Sequence, residues 1–244
     1  MGSFAQDIPP SVPLPRKWKA DCRPPYGSIR PHSALSLAWK QQFPRRVDWV
    51  SIFDDIVHLI SLDCTFNEQQ KELATTSGSW VEPMMYRLLA IRPLELGTGR
   101  ENILEEVCRL GTMIFLAPFW RILGQSPVWT AALTRNLQFV LLKDQFEWNE
   151  LKPLLVWTIY FASIETSELA ERSQFAFMLA RLMKGLQFRE WSELLQVVKD
   201  VLWVDKVFAR SDKLVRVEVM QMVRESSVLM ESPIIDLRRQ FEGA

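Results

Sequence analysis

Asp54 and His58 stand four residues apart in "VDWVSIFDDIVHLISL" (residues 47–62), with Asp55 beside the first and Asp63 and Cys64 just beyond the end. On a helix this spacing places carboxylate and imidazole on one face. There the acid could orient the ring as a general base, or the pair could hold a metal ion. A metal needs more ligands, however, and the other histidine, His32, lies beside a proline-rich segment. His58 is therefore read as a surface or interface histidine next to a helical carboxylate.

A second feature with chemical potential is "LELGTGRENILEEV" (Leu94 to Val107), an acidic residue followed by G-x-G and a helix-forming stretch. Glycine-rich loops of this kind bring backbone amides up to a phosphate at the end of a buried strand, and a third glycine lets strand and helix pack closely. Here Glu101 stands where that third glycine belongs, and "YRLLAIRPL" upstream reads as a helix ending at a proline. Thr98 and Glu101 instead read as a T-x-x-E capping box, with Gly97 and Gly99 supplying the turn. Nucleophile motifs fare no better: "TSGSW" (Thr76 to Trp80) lacks the second glycine of G-x-S-x-G. Cys22, Cys64 and Cys108 are too far apart in sequence for two thiolates to reach one zinc ion by the usual short spacing. No catalytic, cofactor-binding or metal-ligating residue is assigned, no cofactor is expected, and the chain is not read as an enzyme.

The elements that would position such groups are helical. Trp49, Ile52, Phe53, Ile56, Leu59 and Ile60 fall on one face, after a short helix that Pro44 must stop. A helix is predicted over Trp80 to Ile91, ended by Pro93. Another begins around Arg100 with Ile103, Val107, Leu110 and Ile114 inward and Glu101, Glu105 and Glu106 in its first turns, where the helix dipole favours acids. Pro118 should kink or end it and Gly124 should close it. Ser126 as N-cap and Pro127 at the first helical position open the next, which reaches Lys143. Further helices are predicted from Asn149 through "PLLVWTIYFASI", from Glu168 to Lys184 with Gly185 as stop, and from Lys213 to Met230. In "REWSELLQVVKDVLWVDKVF" (Arg189 to Phe208), Trp191, Leu194, Leu195, Val198, Val201 and Leu202 form one apolar face, read as closing the core.

No period-two alternation between turn residues argues for a sheet. The fold class is all-α: a single domain of packed antiparallel helices over residues 33–231, preceded by a proline-rich extended or disordered segment (1–32) and followed by a tail or short helix (232–244). Seven of the 14 prolines lie in the first 31 residues. Within that segment "PRKWKADCR" (Pro15 to Arg23) is basic and is read as a solvated stretch, with a nuclear-import or phosphate-contacting arm as the sharper alternative. Most of the 10 tryptophans, among them Trp129, Trp157, Trp191 and Trp203, are placed on helix faces as gap fillers between helices.

Lys plus Arg (29) balances Asp plus Glu (29), so the whole-chain field does not favour phosphate neutralisation, and direct nucleic-acid binding is not expected. The odd, dispersed cysteines and the absence of an apolar leader point to an intracellular, non-secreted protein. The longest nearly uncharged run falls short of the roughly 20 residues a membrane span needs.

Four stretches taken together resemble the helical regulatory region that follows the binuclear zinc cluster in fungal-specific transcription factors. They are "MYRLLAIRPL" (Met85 to Leu94), "EEVCRLGTMIFLAPFWR" (Glu105 to Arg121), "LKPLLVWTIYFASIET" (Leu151 to Thr166) with Glu171 and Arg172, and "REWSELLQVVKDVLWVDKVF". The resemblance implies an all-helical regulatory or dimerisation unit in the nucleus, with protein partners that are other transcription regulators or a second copy, often controlling a metabolic or secondary-metabolite gene cluster. The six-cysteine cluster and its basic linker are not in this sequence, so DNA reading is carried over to no residue. The competing expectation is a small biosynthetic-cluster enzyme or accessory protein, cytoplasmic in location, that binds an apolar metabolite in a Trp- and Met-lined cleft.

Overall fold

A computed structural model describes residues 2–13, 34–46, 48–63, 65–66, 78–123, 128–143, 148–209 and 211–231. Among them the chain is mainly helical, with no strand. The helices are α1 (Gly2–Gln6), α2 (Ala34–Gln42), α3 (Trp49–Leu62), α4 (Val81–Ala90), α5 (Arg100–Ile122), α6 (Ala131–Lys143), α7 (Lys152–Glu165), α8 (Leu169–Gly185), α9 (Trp191–Val201), α10 (Asp205–Phe208) and α11 (Lys213–Glu231). Short 3-10 turns at Pro93–Leu96 and Asn149–Leu151 lead into α5 and α7.

The axis of the molecule is α5, whose 23 residues span about 35 Å. Nearly every side chain from Asn102 to Trp120 is buried, so neighbours cover it on all sides: α4, α6 and α7 pack on it directly. Helices α8 and α9 then pack on α7, and α11 on α8. Where α5 crosses α7, Gly111 is the contact: a Cβ added there would meet Thr158 Oγ1 at 2.6 Å and Cγ2 at 2.8 Å. A larger residue would push the two helices apart.

Aromatic rings fill the space this crossing leaves. Phe115 lies 5.3 Å from Trp157, 5.0 Å from Phe161 and 5.2 Å from Phe208, centroid to centroid. Phe161 and Phe208 are 4.7 Å apart. Thus α5, α7 and α10, far apart in sequence, meet in one tilted and edge-on cluster of the geometry aromatic quadrupoles favour. Trp157 also donates its indole N–H to the Leu202 carbonyl at 2.9 Å, tying α7 to the end of α9.

The face predicted for α3 is buried as read, from Trp49 to Ile60. Its N-terminus is held by Asp48, whose Oδ1 accepts from the Val50 amide at 3.1 Å while Oδ2 accepts from Ser36 Oγ at 2.7 Å, linking α2 to α3. In α9 and its C-cap, Trp191, Leu194, Val198 and Leu202 are buried, with Leu195 and Val201 half-buried against the core. That face closes the core, and a Glu190/Glu193 capping box starts it.

Several expectations need correction. Residues 2–6 form α1 rather than an extended chain, because the prolines start only at Pro9 and Phe4 buries against Trp120 with ring centroids 5.2 Å apart. Asp7 follows in the left-handed conformation (φ 51), and the Ile8 and Asp7 amides donate back to the Ser3 and Phe4 carbonyls in a Schellman motif. Pro118 does not end α5: the helix runs on to Ile122, since proline removes one amide donor and burial of Phe119 and Trp120 holds the last turn. Helix α8 does stop at Gly185, as expected. The left-handed position is Gln187 (φ 60), with Phe188 bonded back to the Met183 carbonyl at 2.8 Å and half-buried against the core. Trp129 is 65% exposed because α6 begins only at Ala131. Ser126, Pro127 and Gly124 lie outside the described residues, as does most of the proline-rich stretch with its basic run.

Candidate interaction site

Among the described residues, those singled out for chemistry have structural partners of their own. His58 sits half-buried on α3, and its carbonyl accepts from Ser61 Oγ at 2.7 Å. Asp55 faces Arg87 across 3.6 Å. Asp63 is buried and its carboxylate is used by the chain itself, accepting from the Thr65 amide at 2.8 Å and from the Gly78 amide and Trp80 Nε1, both at 2.7 Å. Among the described residues no group of three or more His, Cys, Asp or Glu could hold a metal ion. Cys22, Cys64, Thr76 and Ser77 lie outside the described residues.

The glycine turn has a different construction from the capping box expected of it. Gly99, not Thr98, is the N-cap of α5, and its carbonyl accepts from the Asn102 and Ile103 amides. Asn102 is therefore the residue three along, and its side-chain amide donates to the Gly97 carbonyl at 2.9 Å. Gly97 has φ 127, a conformation side chains rarely adopt, while Glu101 turns toward Arg46 at 3.5 Å. A 3-10 turn leads into the loop, so it does not follow a strand as a phosphate loop would.

Buried titratable groups are spent on structure. Burial and the nearby Glu105 carboxylate push the Cys108 thiol up, so it stays protonated and inert. Burial and Asp212 likewise push the Tyr160 phenol up. Arg109, fully buried on α5, is held between Glu106 on the same helix and Asp7 of the N-terminal segment. Burial alone would push the Asp7 carboxyl up, but the hydrogen bonds and charge of Arg109, with Asn136 and Arg92, outweigh it and hold the carboxyl below its usual range. Glu105 and Glu106, expected at the helix start for its dipole, are both buried, and Arg46 approaches Glu105 at 3.6 Å.

A groove of about 940 Å³ lies between the start of α9 and one face of α11. Trp191 and Leu195 line one wall, and Arg216, Val217, Met220 and Arg224 line the other. The walls are pinned together by Trp191 Nε1, which donates to Asp212 Oδ2 at 2.7 Å. Val215 and Val219 face the core, whereas Leu214 and Val217 are 67% and 65% exposed. So, among the described residues, α11 carries apolar side chains both against the core and facing outward. The signal in the sequence is "KLVRVEVMQMV" (residues 213–223), where apolar residues alternate too densely for a single stripe.

No protein-family model, curated protein or solved structure matches this chain significantly. Among the described residues no helix is long and apolar enough to cross a membrane.

Proposed function

We propose that this chain is a helical regulatory domain of the fungal zinc-cluster factor type, without its own DNA-binding module, which acts by docking onto other transcription regulators or a second copy of itself. On this reading it works in the nucleus, performs no chemistry, and contributes to control of a metabolic gene cluster. The observation that carries it is the α9/α11 groove. Aromatic residues, Met and Arg are the types enriched at the centres of protein interfaces, and Trp191, Met220, Arg216 and Arg224 supply all three around the exposed Val217. The four stretches that carry the resemblance also support the reading, because they are packing patterns and α4, α5, α7, α9 and α10, on which they lie, do pack together.

Size-exclusion chromatography of the whole chain with a panel of fungal zinc-cluster regulators tests the proposal, together with imaging of a fluorescent fusion. Co-elution that Val217→Glu abolishes, with nuclear signal, is the expected result. Failure to co-elute with any regulator or to self-associate, with fluorescence confined to the cytosol, would overturn it.

A further inference from the structure

The N-terminal segment is held against the helical body as a short peptide is held by a receptor. Of residues 3–13 only Phe4 and Asp7 are buried, and Gln6, Ile8, Pro9, Ser11, Val12 and Pro13 are exposed. Phe4 meets the Trp120 ring edge-on, with centroids 5.2 Å apart. Asp7 accepts four hydrogen bonds of 2.8 to 3.1 Å from Arg109, Arg92 and Asn136. We infer that this seat is an interaction site for a second copy of the chain, which brings its own Phe4 and Asp7, so that two copies join by exchanging the segment.

The seat belongs wholly to the body: Arg92 follows α4, Arg109 and Trp120 lie on α5, and Asn136 lies on α6. Every contact that is lost when a chain's own segment leaves is therefore open, unchanged, to the same segment of another copy. Helix α1 has five residues, too few to hold together alone, so its form depends on the seat and its grip on two anchors. Charge sets what can enter. Glu106 balances one of the two guanidiniums, Asp7 balances the other, and an occupant without a carboxylate leaves a cation unpaired in the interior. Residues 14–33 join Pro13 to Ala34, and a chain of that length can reach at most about 65 Å, far enough to enter a neighbouring copy. The exchange uses a different surface from the α9/α11 groove and does not need the docking role to be correct.

The first probe is a fluorescent peptide of residues 2–13, followed by anisotropy on addition of the whole chain. In the Phe4→Ala chain the resident segment loses its aromatic anchor and competes less, so this variant should bind the peptide about tenfold or more tightly than wild type does. Asp7→Asn in the peptide should weaken binding by about tenfold or more, since it removes the charge that the guanidiniums read. The second measurement mixes two whole chains, both carrying Val217→Glu to exclude groove docking. One has Phe4→Ala, a weakened segment beside a sound seat. The other has Asn136→Asp, at an exposed position, which sets a second carboxylate against Asp7 and spoils the seat beside a sound segment. Sedimentation velocity should show a mixed dimer at concentrations where each chain alone stays monomeric. Three results would overturn the proposal: no peptide binding by wild type or by folded Phe4→Ala at millimolar concentration, binding that Asp7→Asn in the peptide leaves unchanged, or peptide binding without a mixed dimer, which would give the seat to a segment of another protein.

Discussion

Asp7 and Arg109, 102 residues apart in sequence, meet in two parallel hydrogen bonds of 2.8 and 2.9 Å. The same carboxylate accepts from Arg92 at 3.1 Å and from Asn136 at 2.9 Å, so one residue of the N-terminal segment ties α1 to α5, α6 and the end of α4. The pair is buried on both sides; without Asp7, Arg109 keeps only Glu106, Arg92 loses its carboxylate, and the cluster is left with a net positive charge in the interior. Asp7→Ala should therefore lower stability by about 3–5 kcal/mol in urea unfolding. A change below about 1 kcal/mol, the worth of an exposed pair, would show that α1 is not clasped in solution.

Asp7 also predicts an acid response. Its carboxyl is held low in the folded chain, so its contribution is fully present above the unfolded value of about 3.9 and is lost as pH falls through the lower folded value. Below about pH 4 the wild-type chain should lose stability more steeply than Asp7→Asn, which has no proton to take up there. Unfolding midpoints measured for both from pH 6 to pH 2 compare the two slopes; parallel curves would contradict the assignment.

At the α5/α7 crossing, Gly111→Ala should cost about 1–3 kcal/mol, the range for overpacking, because its Cβ collides with Thr158. Trimming the neighbour should give part of this back. The double variant Gly111→Ala with Thr158→Ala is expected to be more stable than Gly111→Ala alone by thermal denaturation, and equal or lower stability would mean that the helices can separate freely.

Loss of the ring at the centre of the aromatic cluster should be felt by three helices together. Phe115→Ala is expected to cost about 3–5 kcal/mol, the range for a large-to-small change at a fully buried aromatic. Near-ultraviolet circular dichroism, which reports ordered aromatic rings, should weaken while the far-ultraviolet helical signal persists in the folded variant.

Asp63 holds three donors, two of them buried. In Asp63→Ala the Gly78 amide and the Trp80 indole lose their acceptor inside the protein, at about 1–3 kcal/mol each. Trp80→Phe should cost less, since it removes donor and need together. Equal losses in the two variants by urea denaturation would rule out this account.

The apolar spacing of the sequence by itself determined the all-helical class, the inward faces of α3 and α9, and the approximate span of most helices, because a stripe at three-to-four spacing leaves a helix little choice of side to bury. Helix ends were less legible. Thr98 carries the right residue type for an N-cap, yet Gly99 holds that place, and α5 runs past Pro118 to Ile122 because the burial of Phe119 and Trp120 holds its last turn. Only the tertiary structure brought Asp7 to Arg109, and only it decided which apolar residues of α11 stay uncovered. Both depend on pairing between segments distant in the chain, for which local spacing carries no information, whereas a helical face is written within a few turns of its own sequence.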